Sequence, residues 1–84
     1  MNDYLIMLTT IYMFEINTSE HVASIEKARI LVREFIEINN LGSKDLRNDF
    51  GNVYETRQKK DGSGNEAKYI GFIHYNGTFE SAKN

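Results

Sequence analysis

The stretch YLIMLTTIYMFEI, residues 4–16, decides how this chain is read. It holds ten apolar or aromatic residues, two adjacent threonines and one charge. A membrane helix needs roughly 20 apolar residues, and this run has thirteen positions with Glu15 among them. A signal peptide carries basic residues ahead of its apolar core, whereas Asp3 stands here and the first Lys or Arg is Lys27. Both membrane readings fall, and an intracellular protein is expected. The composition instead suits a sheet, because Ile, Tyr, Phe and Thr favour a pleated, packed surface.

On strict alternation Tyr4, Ile6, Leu8, Tyr12, Phe14 and Ile16 point one way, and Leu5, Met7, Ile11 and Met13 the other. Neither side is solvated in character. A straight strand of this length would span about 40 Å, against about 17–20 Å for an ordinary strand. A bend or bulge near Thr9-Thr10, or a strand that overhangs its own sheet, is therefore expected.

Downstream, Asn17-Thr18-Ser19-Glu20 reads as a helix start, with Asn17 as cap and Glu20 completing a capping box. Ile25, Ala28, Leu31, Val32, Phe35, Ile36 and Ile38 then fall in one broad arc. Arg29, Arg33 and Glu37 lie outside it, with Arg33–Glu37 spaced as a helical ion pair. Ile30 is out of place among these polar positions. Gly42 is expected to supply the left-handed residue that ends the helix, and Ser43 to cap one further turn over 44–49.

Beyond Gly51 the period returns to two. Val53 to Gln58 reads as a strand, Asp61-Gly62-Ser63-Gly64 as a turn and Ala67 to Tyr75 as the partner strand. Asn76-Gly77 is a strong hairpin signal, which makes Thr78 to Ser81 a short last strand. The expected fold is a single α+β domain over residues 1–84, ordered β-α-β-β-β. It is a small, mainly antiparallel sheet with one long amphipathic helix on one face. One helix covers one face. The strand around Ile70 and Phe72 is also apolar on both sides, with Ile70 and Phe72 alternating with Tyr69, Ile73 and Tyr75. Either the second face meets a protein partner, such as a second copy in a homodimer, or terminal loops and long polar side chains cover it.

Catalytic and metal motifs are missing from the sequence. There are no cysteines. His21, at the expected helix start, and His74, at a strand end, lie in different elements and read as structural. No nucleophile elbow is present, and the glycines of 61–65 lack the spacing of a phosphate loop. No enzyme activity, metal or cofactor is expected. Net charge is −2, but residues 1–26 carry four acidic and no basic groups, while residues 27–84 carry ten basic and eight acidic. Arg57, Lys59, Lys60 and Lys68 collect around the 61–64 turn near Tyr54 and Tyr69. Such a basic hairpin can touch phosphates or stack bases, or it can be a lysine-protected strand pair that resists aggregation. Opposed by Glu55, Asp61 and Glu66, four cations are few for strong binding to nucleic acid.

Met1-Asn2 with Tyr4-Leu5-Ile6, a single helix, and then Val53-Tyr54, Glu55-Thr56, Gly62-Ser63-Gly64, His74-Tyr75 and Gly77 resemble the small anti-CRISPR proteins of phages and other mobile elements. The resemblance runs closest to inhibitors of the type I-E Cascade complex. It covers the first strand and the second half of the chain, while the helix shares position and amphipathicity. Gln58-Lys59-Lys60 departs from the pattern. The resemblance implies a non-catalytic inhibitor in the cytoplasm of a bacterial host cell, one that binds a CRISPR effector and blocks DNA recognition or nuclease recruitment. A toxin–antitoxin partner or a host-takeover protein would share these sequence features. The residues expected at the partner contact are Tyr54, Arg57, Lys59, Lys60, Tyr69 and Tyr75.

Overall fold

The computed structural model describes residues 3–12 and 18–82. Five strands form one antiparallel sheet: β1 (Asp3–Leu8), β2 (Thr18–Val22), β3 (Asn52–Gln58), β4 (Asn65–Ile73) and β5 (Phe79–Ser81). Their spatial order is β2-β1-β3-β4-β5, and the helix α1 (Ile25–Ile38) lies on one face. The α+β class and the single helix agree with the sequence reading. The element order is β-β-α-β-β-β, one strand more than expected.

The extra strand replaces the expected helix start. Thr18 to Val22 pairs with β1, from Leu8↔Thr18 to Tyr4↔Val22. Asn17 lies outside the described residues. The helix begins seven residues beyond Thr18, at Ile25, capped by Ser24, whose hydroxyl accepts the Lys27 amide at 3.1 Å. The outer edge of β1 offers Thr18 to Val22 a ladder of backbone hydrogen bonds. Tertiary pairing of this kind overrides a local capping signal. His21 consequently sits on a strand, opposite Leu5.

The expected break at Thr9-Thr10 is present. β1 ends at Leu8, and the chain bends at Ile11 and Tyr12. Thr10 forms an isolated antiparallel bridge to Leu46, flanked by Ile11 N–H to Asp45 O (3.0 Å) and Arg47 N–H to Thr9 O (3.1 Å). The Thr9 hydroxyl donates to Asp49, and the Tyr12 hydroxyl donates to Asp45 at 3.1 Å. That hydrogen bond and the negative carboxylate raise the Tyr12 phenol above its ordinary pKa. Residues 13–17, the rest of the opening stretch, lie outside the described residues.

The core is the sandwich of α1 against the sheet. Ala28, Val32 and Ile36 form the buried line of the helix and meet Ile6, Leu8, Val53 and Ile73. Ile25, Leu31 and Phe35 flank that line as partly buried contacts. Ile38 does not join them and is 80% exposed. Six residues past Val32, at about 100° per residue, it points about 120° away from the buried line. Ile30 is half exposed, as its polar neighbours implied.

The helix ends in a Schellman motif, with Asn40 rather than Gly42 in the left-handed conformation at φ 54°. Leu41 N–H reaches Ile36 O at 3.0 Å and Asn40 N–H reaches Glu37 O at 3.2 Å. Leu41 and Ile36 are both core residues, which gives the motif its apolar contact. Gly42 has an ordinary φ of −93° and instead caps a short 3-10 turn, Ser43–Asp45, its N–H bonded to the Asp45 carboxylate. The turn is shorter than the expected 44–49 segment.

Gly51 stitches three strands together. Its N–H donates to Met7 O at 2.7 Å and its carbonyl accepts from Ile73 N–H at 2.8 Å. With φ at +82°, a Cβ here would stand 2.2 Å from the Ile73 carbonyl oxygen. Gly51→Ala should cost at least about 2 kcal/mol, through backbone strain and a clash that no side-chain movement relieves. Asn40→Gly should add stability of up to about 1 kcal/mol by removing the left-handed penalty. Urea denaturation of both variants, compared at equal m-value, checks the pair of signs.

Candidate interaction surface

β4 carries a bulge that sorts its apolar residues. Val53 pairs with Gly71 but Tyr54 pairs with Tyr69, so Ile70 is an extra residue on β4. A bulge turns two successive residues toward the same side. Ile70 packs on the core with Ile73, while Tyr69 and Phe72 are left on the other face. The simple alternation read from sequence, which grouped Tyr69 with Ile73 and Ile70 with Phe72, is therefore corrected. Gly71 lies at the bulge with φ +150°, and a Cβ there would meet Glu80 O at 2.3 Å and the Phe79 ring. The bare glycine lets β5 close over it.

Register now defines the face opposite the helix. Directly paired residues share a side, so His21, Leu5, Tyr54 and Tyr69 form one row across four strands. Met7 lies beside Ser19, and Phe72 lies between Asn52 and Glu80. The Tyr54 and Tyr69 rings meet edge-on, 5.6 Å between centroids, and Phe72 contacts the His74 ring at 4.5 Å. Among the described residues no helix lies on this face. Leu5, Met7, Tyr54 and Phe72 are half-buried, and Tyr69 is 42% exposed.

The β3–β4 hairpin runs past the rest of the sheet. β1 stops at the pair Asp3↔Thr56, whereas β3 and β4 continue through Arg57↔Glu66 and Gln58↔Asn65 to the turn. Every residue from Arg57 to Tyr69 is exposed, and the molecule is drawn out to 42 × 27 × 22 Å. This two-stranded arm carries four of the expected contact residues, Arg57, Lys59, Lys60 and Tyr69, with Tyr54 at its root.

Charge along the arm is locally matched. Arg57 Nε and Glu66 Oε1 are 2.8 Å apart, and Glu55 stands opposite Lys68 in register. Both Arg57 and Glu66 are half exposed or more, so this pair adds about 0.2–1 kcal/mol at most. At the tip, Lys59 N–H bonds to Gly64 O at 2.8 Å, and the Asp61 carboxylate accepts from the Ser63 amide (3.0 Å) and hydroxyl (2.7 Å). The two Ser63 hydrogen bonds hold the Asp61 carboxyl below its ordinary pKa. Lys59 and Lys60 make no ion pair among the described residues, and they form the cationic end of the arm.

Tyr75 is elsewhere. Its hydroxyl donates to Leu41 O at 3.0 Å, and its ring lies 5.4 Å below the Arg33 guanidinium. It belongs to a clasp between α1 and the β4–β5 turn. Arg33 Nη1 donates to Tyr75 O at 2.6 Å and Arg29 Nε to Gly77 O at 2.8 Å. The expected Arg33–Glu37 pair is present at 3.6 Å. The clasp was not visible in the sequence, where these arginines had the spacing of a solvated helix face. His74 and Glu80 bridge β4 and β5 at 2.9 Å, far across the sheet from His21. Among the described residues no group of three His, Asp or Glu is placed to hold a metal. No helix is long and apolar enough to cross a membrane.

Comparison of the chain with protein-family models, with characterised proteins and with solved structures finds no match in any of the three. Tyr75→Phe should remove the hydroxyl bond to Leu41 while keeping the ring under Arg33. The expected cost is about 1 kcal/mol, a fall in Tm of about 4–8 °C for a domain of this size, readable by calorimetry.

Proposed function

We propose that this protein is a non-catalytic inhibitor that binds a host defence complex, and that the projecting β3–β4 arm is its contact element. The observation that carries this reading is the arm itself. An exposed, turn-ordered ribbon stands clear of the body, with Lys59 and Lys60 at its tip and the Tyr54–Tyr69 ring pair at its root. Tyrosine provides large contact area at small entropic cost, and tip cations steer the encounter with an acidic partner surface. The resemblance of the first strand and the second half of the chain to anti-CRISPR proteins supplies the partner class, a type I Cascade effector. Occupying that complex would block DNA recognition or nuclease recruitment.

A second reading uses the same arm. A two-stranded ribbon fits the major groove of a duplex, and the unmatched Lys59 and Lys60 would sit on phosphates. It is the weaker reading, because Arg57 and Lys68 are opposed by Glu66 and Glu55 across the ribbon.

Pull-down against purified Cascade, with plaque counts in an immune host, tests the first reading. Retention of the complex and rescue of phage are expected, with both reduced at least about tenfold by joint Lys59→Ala and Lys60→Ala. No retention and no rescue would sink it. A mobility shift that weakens steeply with salt, and whose salt slope falls by about two in the double variant, would favour nucleic acid instead.

A further inference from the structure

The arm leaves the open sheet face unexplained. Its apolar centre comprises Leu5, Met7, Tyr54, Tyr69 and Phe72, drawn from three adjacent strands. We propose that this face is the seat of a second copy of the chain, forming a two-fold dimer in which the two sheets pack face to face and the helices lie outside.

Charge selects the occupant. No Lys or Arg lies in the register rows that build this face. Arg57 and Lys68 pair with Glu66 and Glu55, in register positions that alternate with Tyr54, Thr56 and Tyr69 and so lie on the other side of the ribbon. A polyanion would therefore find aromatic rings here without the cations that its phosphates need. The formal carboxylates of the face sit toward its margins, at Asp3 and at Glu80, where His74 holds the latter. At a two-fold axis each side chain meets its own copy, so any charge near the axis repels itself, while Leu, Met, Tyr and Phe do not. A surface whose centre is uncharged and apolar, with its carboxylates at the margins, is self-compatible.

Two such sheets stacked about 10 Å apart give the ordinary geometry of a sandwich core.

The inference does not depend on what the arm binds. Sedimentation velocity of the full chain between about 1 and 100 μM should show a dimer that dissociates on dilution. Met7→Lys and Tyr69→Lys each place a cation where the copies meet. Both should weaken association at least about tenfold with the circular dichroism spectrum unchanged. Tyr69 is exposed enough to accept the change without loss of fold. Lys60→Glu, at the arm tip, should leave the mass unaltered while weakening capture of Cascade. A monomer at the highest concentration, or a dimer that survives Tyr69→Lys, overturns the proposal. So does a monomeric wild type whose Cascade binding is lost with Met7→Lys, which would assign the face to the target.

Discussion

The fold depends on one contact, the line Ala28–Val32–Ile36 of the helix lying across Ile6, Leu8, Val53 and Ile73. Ala28 contributes little area, but a small side chain at a buried helix position lets the helix backbone lie close to the sheet. Everything else is arranged around this contact. The Schellman turn brings Leu41 back to Ile36, Phe50 stacks on Phe35 at 6.0 Å, and Leu46 closes the end beyond Thr10. The consequence is a structure with one dry side. Among the described residues one helix covers one face of the sheet, and none lies on the reverse.

Two glycines let the strands obey that constraint. Gly51 allows the connection into β3 to bond β1 and β4 together, in a space where a Cβ does not fit. Gly71 accompanies the bulge that sends both Ile70 and Ile73 to the core while Tyr69 and Phe72 remain on the reverse. Without the extra residue, alternation would put Ile70 on the wet side. The bulge therefore concentrates aliphatic side chains against the helix and aromatic ones on the open face. This separation gives the molecule a surface distinct from its core.

Much of this was legible in the chain. The period-two stretches, the Asn76-Gly77 turn and the apolar arc from Ile25 to Ile36 gave the α+β class, the hairpins and the buried helix line. The doubled apolar character of Tyr4 to Leu8 showed that both faces of β1 carry apolar side chains. What escaped was long-range. Thr18 to Val22 is polar enough to pass for a helix start, and it becomes a strand because β1 has a free edge. The bulge at Ile70 has no local signature beyond Gly71, and an alternation read through it inverts. Arg29 and Arg33 looked like solvent-facing charges because the carbonyls that engage them, Gly77 O and Tyr75 O, are more than forty residues away. Of the expected contact residues, five gather on one hairpin, and Tyr75 is drawn off into that clasp.

The arm has a thermodynamic character of its own. Past Thr56 each strand of the hairpin has a single hydrogen-bonding neighbour, and none of its residues enters the core. Two-stranded ribbons are marginal in water, and segments with few buried contacts open at free energies well below that of global unfolding. Amide protons from Arg57 to Glu66 should then exchange by a local opening that leaves the sheet intact. The body would then hold one shape while the arm opened locally, and a partner that bound the arm would select among its states. Affinity would carry an ordering cost, and the same looseness would let a single small protein tolerate drift in the surface it recognises.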